Sequence, residues 1–335
     1  MLKLSKRIVR RLKWGVAGCG NFTENQFIPA LQMLPKSKIV SVFSSDPARV
    51  RFIADKFSIQ NAYNDFDSFL NSDIDCVYIG SANYKHYPQV ISAAKAGKHI
   101  LCEKPLAMNT AQAQEMIDIC KANKVYLAVN YVHRHHPLIV KSKEIIDKGM
   151  IGSIVSITAH FNIDYAPNAN FRFNKELSGG GALRDIGTHM IDLLRYFGGD
   201  IIEISGIMDN IVYKSEVDDF SAAIVQFEKS GYGYFNCSFN VKKGFNRVEI
   251  LGYNGSLSIE NLIGRKGTTP GKLVINLNGE GKKAFRKRAN KLVYALRSVQ
   301  KSFLLNQEPT VTGTDGLINL RLMEALENQQ NKITI

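Results

Sequence analysis

The residues best suited to chemistry in this 335-residue chain fall in three short stretches. The most heavily loaded runs Ser178-Gly179-Gly180-Gly181-Ala182-Leu183-Arg184-Asp185-Ile186-Gly187-Thr188-His189-Met190-Ile191-Asp192. A glycine run opens a helix there, and Asp185 and His189, four residues apart, are predicted to share one helix face. A carboxylate beside an imidazole orients it and tunes it as a general acid or base near neutral pH. Taken alone, Asp-x-x-x-His is more often an ordinary surface pair. The second stretch is Glu103-Lys104-Pro105, directly after the apolar run 99–101. At the C-terminal end of a parallel strand, where ligands bind, Lys104 would reach a substrate oxygen. The proline stiffens the turn and admits a cis bond. An isolated lysine in a turn is otherwise a surface group.

The third stretch is Trp14-Gly15-Val16-Ala17-Gly18-Cys19-Gly20-Asn21-Phe22-Thr23. Gly18 and Gly20 match the first two glycines of a dinucleotide-binding turn. The first permits a tight turn, and the second lets the backbone approach a pyrophosphate at the positive end of a helix opened by Asn21 and Phe22. Thr23 replaces the third glycine. A bare Gly-x-Gly often only closes a strand, but at the start of a βα series it favours a cofactor. The second strand ends in Phe43-Ser44-Ser45, without the acidic residue that would bind a ribose 2′-hydroxyl. Asp46 is predicted to cap the next helix. Ser44 and Ser45, with Arg49 one turn on, suit a 2′-phosphate, so NADP(H) is expected over NAD(H).

These stretches need a scaffold to bring them together. Over 13–129, apolar runs at 14–17, 39–43, 76–79, 99–101 and 125–129 alternate with helical patterns near 24–34, 47–57, 87–96 and 110–122. That alternation predicts a doubly wound parallel sheet with helices on both faces. After about residue 150, alternating patterns at 154–158, 201–207, 222–227, 232–239 and 248–251 predict antiparallel strands. An apolar stripe through Leu292, Val293, Leu296, Val299 and Phe303 predicts a helix, and Thr314-Asp315 opens a last one to about 328. The predicted fold is therefore α/β: a Rossmann-type domain over 12–129, then an α+β domain over 130–335 with a large, mostly antiparallel sheet.

On these motifs the chain resembles the Gfo/Idh/MocA (glucose-fructose oxidoreductase / inositol dehydrogenase) family. Glu103-Lys104-Pro105 after Ala-Gly-Lys-His-Ile-Leu resembles its hallmark. The glycine run through Asp192 is similar to its Gly-Gly-Gly-x-Leu-x-Asp-x-Gly-x-His-x-x-Asp motif. Ser81-Ala82-Asn83, then His86, resembles its cofactor-contacting loop, with the usual Thr-Pro-Asn altered. Residues 130–137 resemble the segment joining the domains, and 309–316 the turn before the last helix. Lys13-Trp14-Gly15 and the serine pair are similar to NADPH-using 1,5-anhydrofructose reductases and dihydrodiol dehydrogenases. The resemblance implies hydride transfer between a nicotinamide cofactor and a CH–OH or C=O carbon of a sugar, polyol or related compound. It implies Lys104, Asp185 and His189 as the catalytic set, with Asp185 orienting His189. It implies Ser81, Asn83, His86, Glu103 and Lys104 as cofactor contacts, and Arg134, Tyr165 and Arg172 beside the catalytic set as substrate contacts. It assigns substrate binding and oligomerisation to the α+β domain over 130–335, and members often form dimers or tetramers. A non-catalytic dinucleotide-binding regulator of the same fold is the alternative.

Bulk properties fit this reading. With 45% hydrophobic and 22% charged residues, the composition is that of a globular protein. No apolar run is long enough to span a bilayer, and none follows the basic start as the core of a signal peptide, so a cytoplasmic location is expected. Five cysteines (Cys19, Cys76, Cys102, Cys120, Cys237) show neither metal nor redox spacing and are expected to be buried free thiols. The net charge of +13 is concentrated: six basic residues in 1–13 and six in 282–291, leaving about +1 elsewhere. The patches are expected to be a solvated tail and a solvated helix face rather than a nucleic-acid or membrane surface. His133, His135 and His136 fit no metal spacing and are expected to line the domain cleft; no metal is predicted.

Overall fold

A computed structural model describes residues 11–262 and 269–329. The basic residues Lys3, Lys6, Arg7 and Arg10 lie outside them. Strands β1 (Leu12–Ala17), β2 (Ser37–Phe43), β3 (Asn61–Tyr63), β4 (Cys76–Ile79), β5 (His99–Cys102) and β6 (Leu127–Val129) form one sheet, in the order β3-β2-β1-β4-β5-β6. Every pairing in it is parallel. Helices cover both faces, which is why β4 is buried at every residue and reads as an unbroken apolar run. The strand order reverses between β1 and β4. Their C-terminal ends, Ala17 and Ile79, therefore flank the crevice where ligands bind in such sheets. Short β3 and the helix Phe66–Leu70 have too few residues to show a period.

Strands β7 (Ile154–Asn162), β8 (Ile201–Asp209), β9 (Phe220–Phe227), β10 (Tyr232–Ser238), β11 (Asn246–Gly252), β12 (Gly255–Glu260), β13 (Thr269–Leu277) and β14 (Gly281–Ala289) form the second sheet, in the order β14-β13-β12-β11-β7-β10-β9-β8. All pairs are antiparallel except β7 with β10. One face buries Ile157, Ala159, Val225, Phe235, Ile250 and Ile259. The helix Thr188–Gly198 packs on it. The opposite face leaves Ile207, Ile224, Tyr232 and Leu251 exposed.

The basic stretch from Lys282 corrects an expectation. It is no helix face: residues 282–289 belong to the edge strand β14, paired to β13 with Leu273 opposite Phe285. All of β14 but Ala289 is exposed, so no burial pattern betrays the strand, and lysines and arginines along an edge discourage further pairing. The predicted helix after it does form, Lys291–Leu304, capped by the Asn290 side chain. It returns to the first sheet, where Leu292, Leu296, Val299 and Phe303 join a core with Trp14, Phe27 and Tyr78. The last helix, Gly313–Asn328, starts with a reciprocal cap between Thr312 and Asp315. A larger core runs without a break from Val77 and Ile100 to Leu183, Phe235 and Leu257, so the two sheets hold the groove between them as one packed body.

Candidate active site

After β1 the chain turns at Gly18, whose φ is +95°. A Cβ there would sit 2.6 Å from the Gly80 carbonyl carbon and the Ser81 nitrogen. Only glycine lets the β1 turn pass this close to the end of β4. At Gly20 a Cβ would meet nothing within 4 Å, because the position faces an open groove. The helix that follows has no side-chain cap at Phe22, and its turn Thr23–Phe27 is π-helical. Uncapped amides at this end suit a phosphate. Two cavities of about 350 and 370 Å³ meet here, sharing Gly20, Gly80, Ser81 and Phe171. They form one two-ended groove along the C-terminal edge of the sheet, which fits a dinucleotide and a second molecule beside it.

Ser44 and Ser45 line the first end. Arg49 does not serve them: its Nε donates to the Cys19 carbonyl at 2.7 Å and its guanidinium pairs with Glu24, so it braces the glycine turn. The cation beside the serines is Lys85, whose Nζ is 3.3 Å from Ser45 Oγ. Asp46 caps the helix through the Ala48 and Arg49 amides, as predicted. Ser81 donates to Gln89 Oε1 at 2.6 Å. His86 has no exposed surface, and its ring nitrogens meet the Pro105 and Ser81 carbonyls. It holds the loop rather than touching a ligand. Asn83 donates to the Ser178 carbonyl at 2.8 Å, tying this loop to the second half of the chain.

At the other end stand Glu103, Lys104, Arg172 and His189. The Lys104–Pro105 bond is cis. Burial pushes the Glu103 carboxyl up, opposed by hydrogen bonds from Asn130 and Tyr78. Lys104 Nζ donates to the Asp185 carbonyl at 2.6 Å and to Asp185 Oδ1 at 2.7 Å. Of its three N–H donors, one remains. Arg172 Nε lies 3.3 Å from Asp185 Oδ2. Burial would raise the Asp185 carboxyl, but Lys104 and Arg172 together hold it well below the usual carboxylate range. Asp185 and His189 make no hydrogen bond, contrary to the expectation that the aspartate orients the histidine. The physical reason is local: Leu183–Gly187 is a π-helical turn, so residues four apart no longer stack, and Asp185 swings to Lys104. His189 is buried with Nδ1 unpartnered, and its side chain lines the groove. Burial, then the nearby Lys104, pushes its pKa well below the ordinary value, so the ring is neutral at pH 7.

Two predicted substrate contacts are otherwise engaged. Arg134 makes two bonds to buried Asp192, at 2.9 and 2.6 Å, and one to Asp315 at 3.0 Å. Tyr165 packs at an angle against Phe173 and edge-on against Phe239 and is outside the cleft lining. Of the three histidines, His133 lines the cleft. Among the described residues, no group of three His, Cys, Asp or Glu side chains converges to hold a metal.

Residues 12–131 match the model of the oxidoreductase family with an NAD-binding Rossmann fold, and residues 139–258 that of the GFO/IDH/MocA C-terminal domain. The trans-1,2-dihydrobenzene-1,2-diol dehydrogenase of Xenopus tropicalis is 32% identical over 253 residues, 74% of this chain and 74% of that protein. The chain belongs to the Gfo/Idh/MocA family. The 1,5-anhydro-D-fructose reductase of Ensifer adhaerens is 28% identical over 92% of this chain and 93% of its own. The aldose-aldose oxidoreductase of Caulobacter crescentus, solved with glycerol, shares the fold at a TM-score of 0.86 with 24% identity, covering 95% of this chain and 97% of that one. As a Gfo/Idh/MocA member, the protein is an NAD(P)-dependent oxidoreductase.

Three residues of this site escaped the sequence reading. Asp218 accepts from the Gly181 amide at 2.7 Å and the Leu183 amide at 2.8 Å, fixing the glycine run that presents Asp185. A Cβ at Gly181 would lie 2.0 Å from the Asp218 carbonyl. Burial raises the Asp218 carboxyl to about 6, against the pull of those two amides. Lys85 was adjacent to a predicted contact, and a search for a cation near the serines across the crevice would have found it. Lys291 enters the cleft from a helix more than a hundred residues beyond the glycine run, and no local pattern announces it.

Proposed function

We propose that the protein is an NADP(H)-preferring dehydrogenase or reductase acting on a CH–OH or C=O carbon of a sugar, polyol or related compound. The observation that carries this is Lys104, anchored by two bonds to Asp185 with one donor left, beside a neutral His189 in the same groove as the glycine turn. A nicotinamide bound there supplies or accepts the hydride. Lys104 points its third N–H at the substrate oxygen and stabilises negative charge as it develops. His189, neutral, takes the hydroxyl proton during dehydrogenation, and in the reductive direction the protonated ring returns that proton to the substrate oxygen. Asp185 is a positioning residue that holds Lys104 and Arg172. Gly18 and Gly20 admit the pyrophosphate, with Asn21 and Phe22 at the helix start, and Ser81, Asn83 and Glu103 shape the nicotinamide end.

The preference for NADP(H) rests on Ser44, Ser45 and Lys85, which suit a 2′-phosphate, in place of an acidic residue that would repel it. Fluorescence titration with NADPH and NADH tests this directly. NADPH should bind more tightly, and Lys85→Gln should remove most of the difference. Tighter NADH binding would move the ribose contact to Asp46, and failure of both would remove the basis for the enzyme reading. Tight dinucleotide binding without turnover of any substrate would instead favour the non-catalytic regulator.

The open face of the second sheet, with Ile207, Ile224, Tyr232 and Leu251 exposed, supports pairing with a second copy as a homodimer or homotetramer. All five cysteines are free and buried, and no helix among the described residues is long and apolar enough to cross a membrane. Buried free thiols suit a reducing compartment.

A further inference from the structure

Three cations border the substrate end of the groove: Lys104, Arg172 and Lys291. The first two share Asp185. Lys291 has a different environment. Its Nζ donates to the Leu262 carbonyl at 3.0 Å, and it forms no ion pair among the described residues. The remaining segments, 1–10, 263–268 and 330–335, contain no Asp or Glu. Its ionisable neighbours are His133, His136 and His189. Burial keeps all three neutral, and each has one buried ring nitrogen without a partner. Burial also draws the lysine itself down to about 8, with no carboxylate to oppose it. A charge half-buried in a cleft wall is ordinarily compensated by an opposite charge. Among the described residues no carboxylate pairs with Lys291, and the space beside the lysine is the cleft.

We infer that Lys291 is an anion-binding residue for the substrate, so that the preferred sugar or polyol carries a carboxylate or phosphate on a part of the molecule away from the reacting carbon. The inference rests on the oxidoreductase reading and specifies its substrate class. The acidic group seats against Lys291, with Arg172 as the second cation on the cleft wall, and the reacting carbon faces Lys104 and His189. An uncharged sugar leaves Lys291 without a counter-charge and forfeits that contribution.

Calorimetric titration of the NADP⁺-bound protein with D-glucose, D-glucuronate and D-glucose 6-phosphate tests this. One or both acidic ligands should bind roughly ten- to a hundredfold more tightly than glucose, the range of a charge-assisted contact. Which of them does so separates a carboxylate from a phosphate. Lys291→Met should abolish the preference while the melting temperature and the NADPH affinity hold, and Lys291→Arg should keep it. Equal binding of all three, no binding of any, or a preference that survives in Lys291→Met would overturn the inference. A preference lost in Arg172→Met but retained in Lys291→Met would overturn it as well. None of these results touches the cofactor titration, so the oxidoreductase reading stands or falls separately.

Discussion

After β1, a glycine turn leads into a helix whose early turn, Thr23–Phe27, is π-helical; in the second half of the chain, Gly179–Gly181 lead into another π turn, Leu183–Gly187. Both line the groove, where π turns recur in proteins. The first presents backbone: Gly18 passes the end of β4, Gly20 opens onto the groove, and uncapped amides await a phosphate. The second presents side chains. Asp218 clamps the Gly181 and Leu183 amides, Arg184 is locked to Glu327 and to the Met108 carbonyl, and Asp185 is turned toward Lys104. A site made of backbone needs only small residues in order. One made of side chains depends on partners brought from all over the chain. Breaking each should therefore have different consequences.

The largest effect is expected at the reacting groups of the side-chain half. Lys104→Ala and His189→Ala should each lower kcat by roughly 10²–10⁴ while NADPH affinity, measured by fluorescence, changes little. Turnover at the wild-type rate in either variant would remove that residue from the mechanism. Next comes Arg134. Its two bonds to buried Asp192 make it a brace, and Arg134→Ala should cost about 3–5 kcal/mol in chemical denaturation, because it leaves a buried carboxylate unpaired. The folded fraction should retain its substrate KM. A raised KM at unchanged stability would return Arg134 to the substrate.

The same contrast governs what could be read in advance. The parallel strands other than short β3 were legible because burial on both faces makes them apolar runs. The glycine turn was legible because its function is its residue types. Lys104, Asp185 and His189 were legible as residues, but their pairing was not: four-residue spacing puts two side chains together only in an α-helix, and the π turn cancels that. Arg49 and Arg134 carry the right charge near the right place, yet Glu24, Asp192 and Asp315, distant in sequence, capture them. Strand β14 failed for another reason. A strand exposed on both faces has no alternation to detect, so Lys282–Arg288 looked like any solvated segment.

Acid should expose how much of the side-chain half depends on neutral imidazoles. His133, His136 and His189 are buried, and burial lowers all three pKa values, that of His136 to about 4 from 6.5. A depressed folded pKa means full stability above the unfolded value. As pH falls below about 6.5, the unfolded chain binds the proton first, and stability is lost until the folded pKa is passed. Each such histidine contributes a loss of about 1.4 kcal/mol per pH unit in that window. Denaturation curves at pH 7 and pH 5 should show it, and His136→Gln should reduce the slope. A flat profile between those pH values would mean that the rings take up protons in the fold as readily as in the unfolded chain.

The smallest effect should come from Asn83, which hydrogen-bonds from the cofactor half to the Ser178 carbonyl just before the glycine run. The bond is buried and spans 95 residues, so removing it leaves an unpaired carbonyl at the point where the halves meet. Asn83→Ala should cost about 1 kcal/mol of stability. Its kinetic signature distinguishes two roles. As a contact to the cofactor, Asn83 would raise the NADPH Kd on removal and leave the substrate KM alone. As a brace between the halves, it would let the glycine run shift, loosen the Asp185–Lys104 pair, and lower kcat with the NADPH Kd nearly unchanged. The second pattern is expected, because its amide nitrogen is already committed to Ser178 and a side chain so buried has little surface left to offer a ligand.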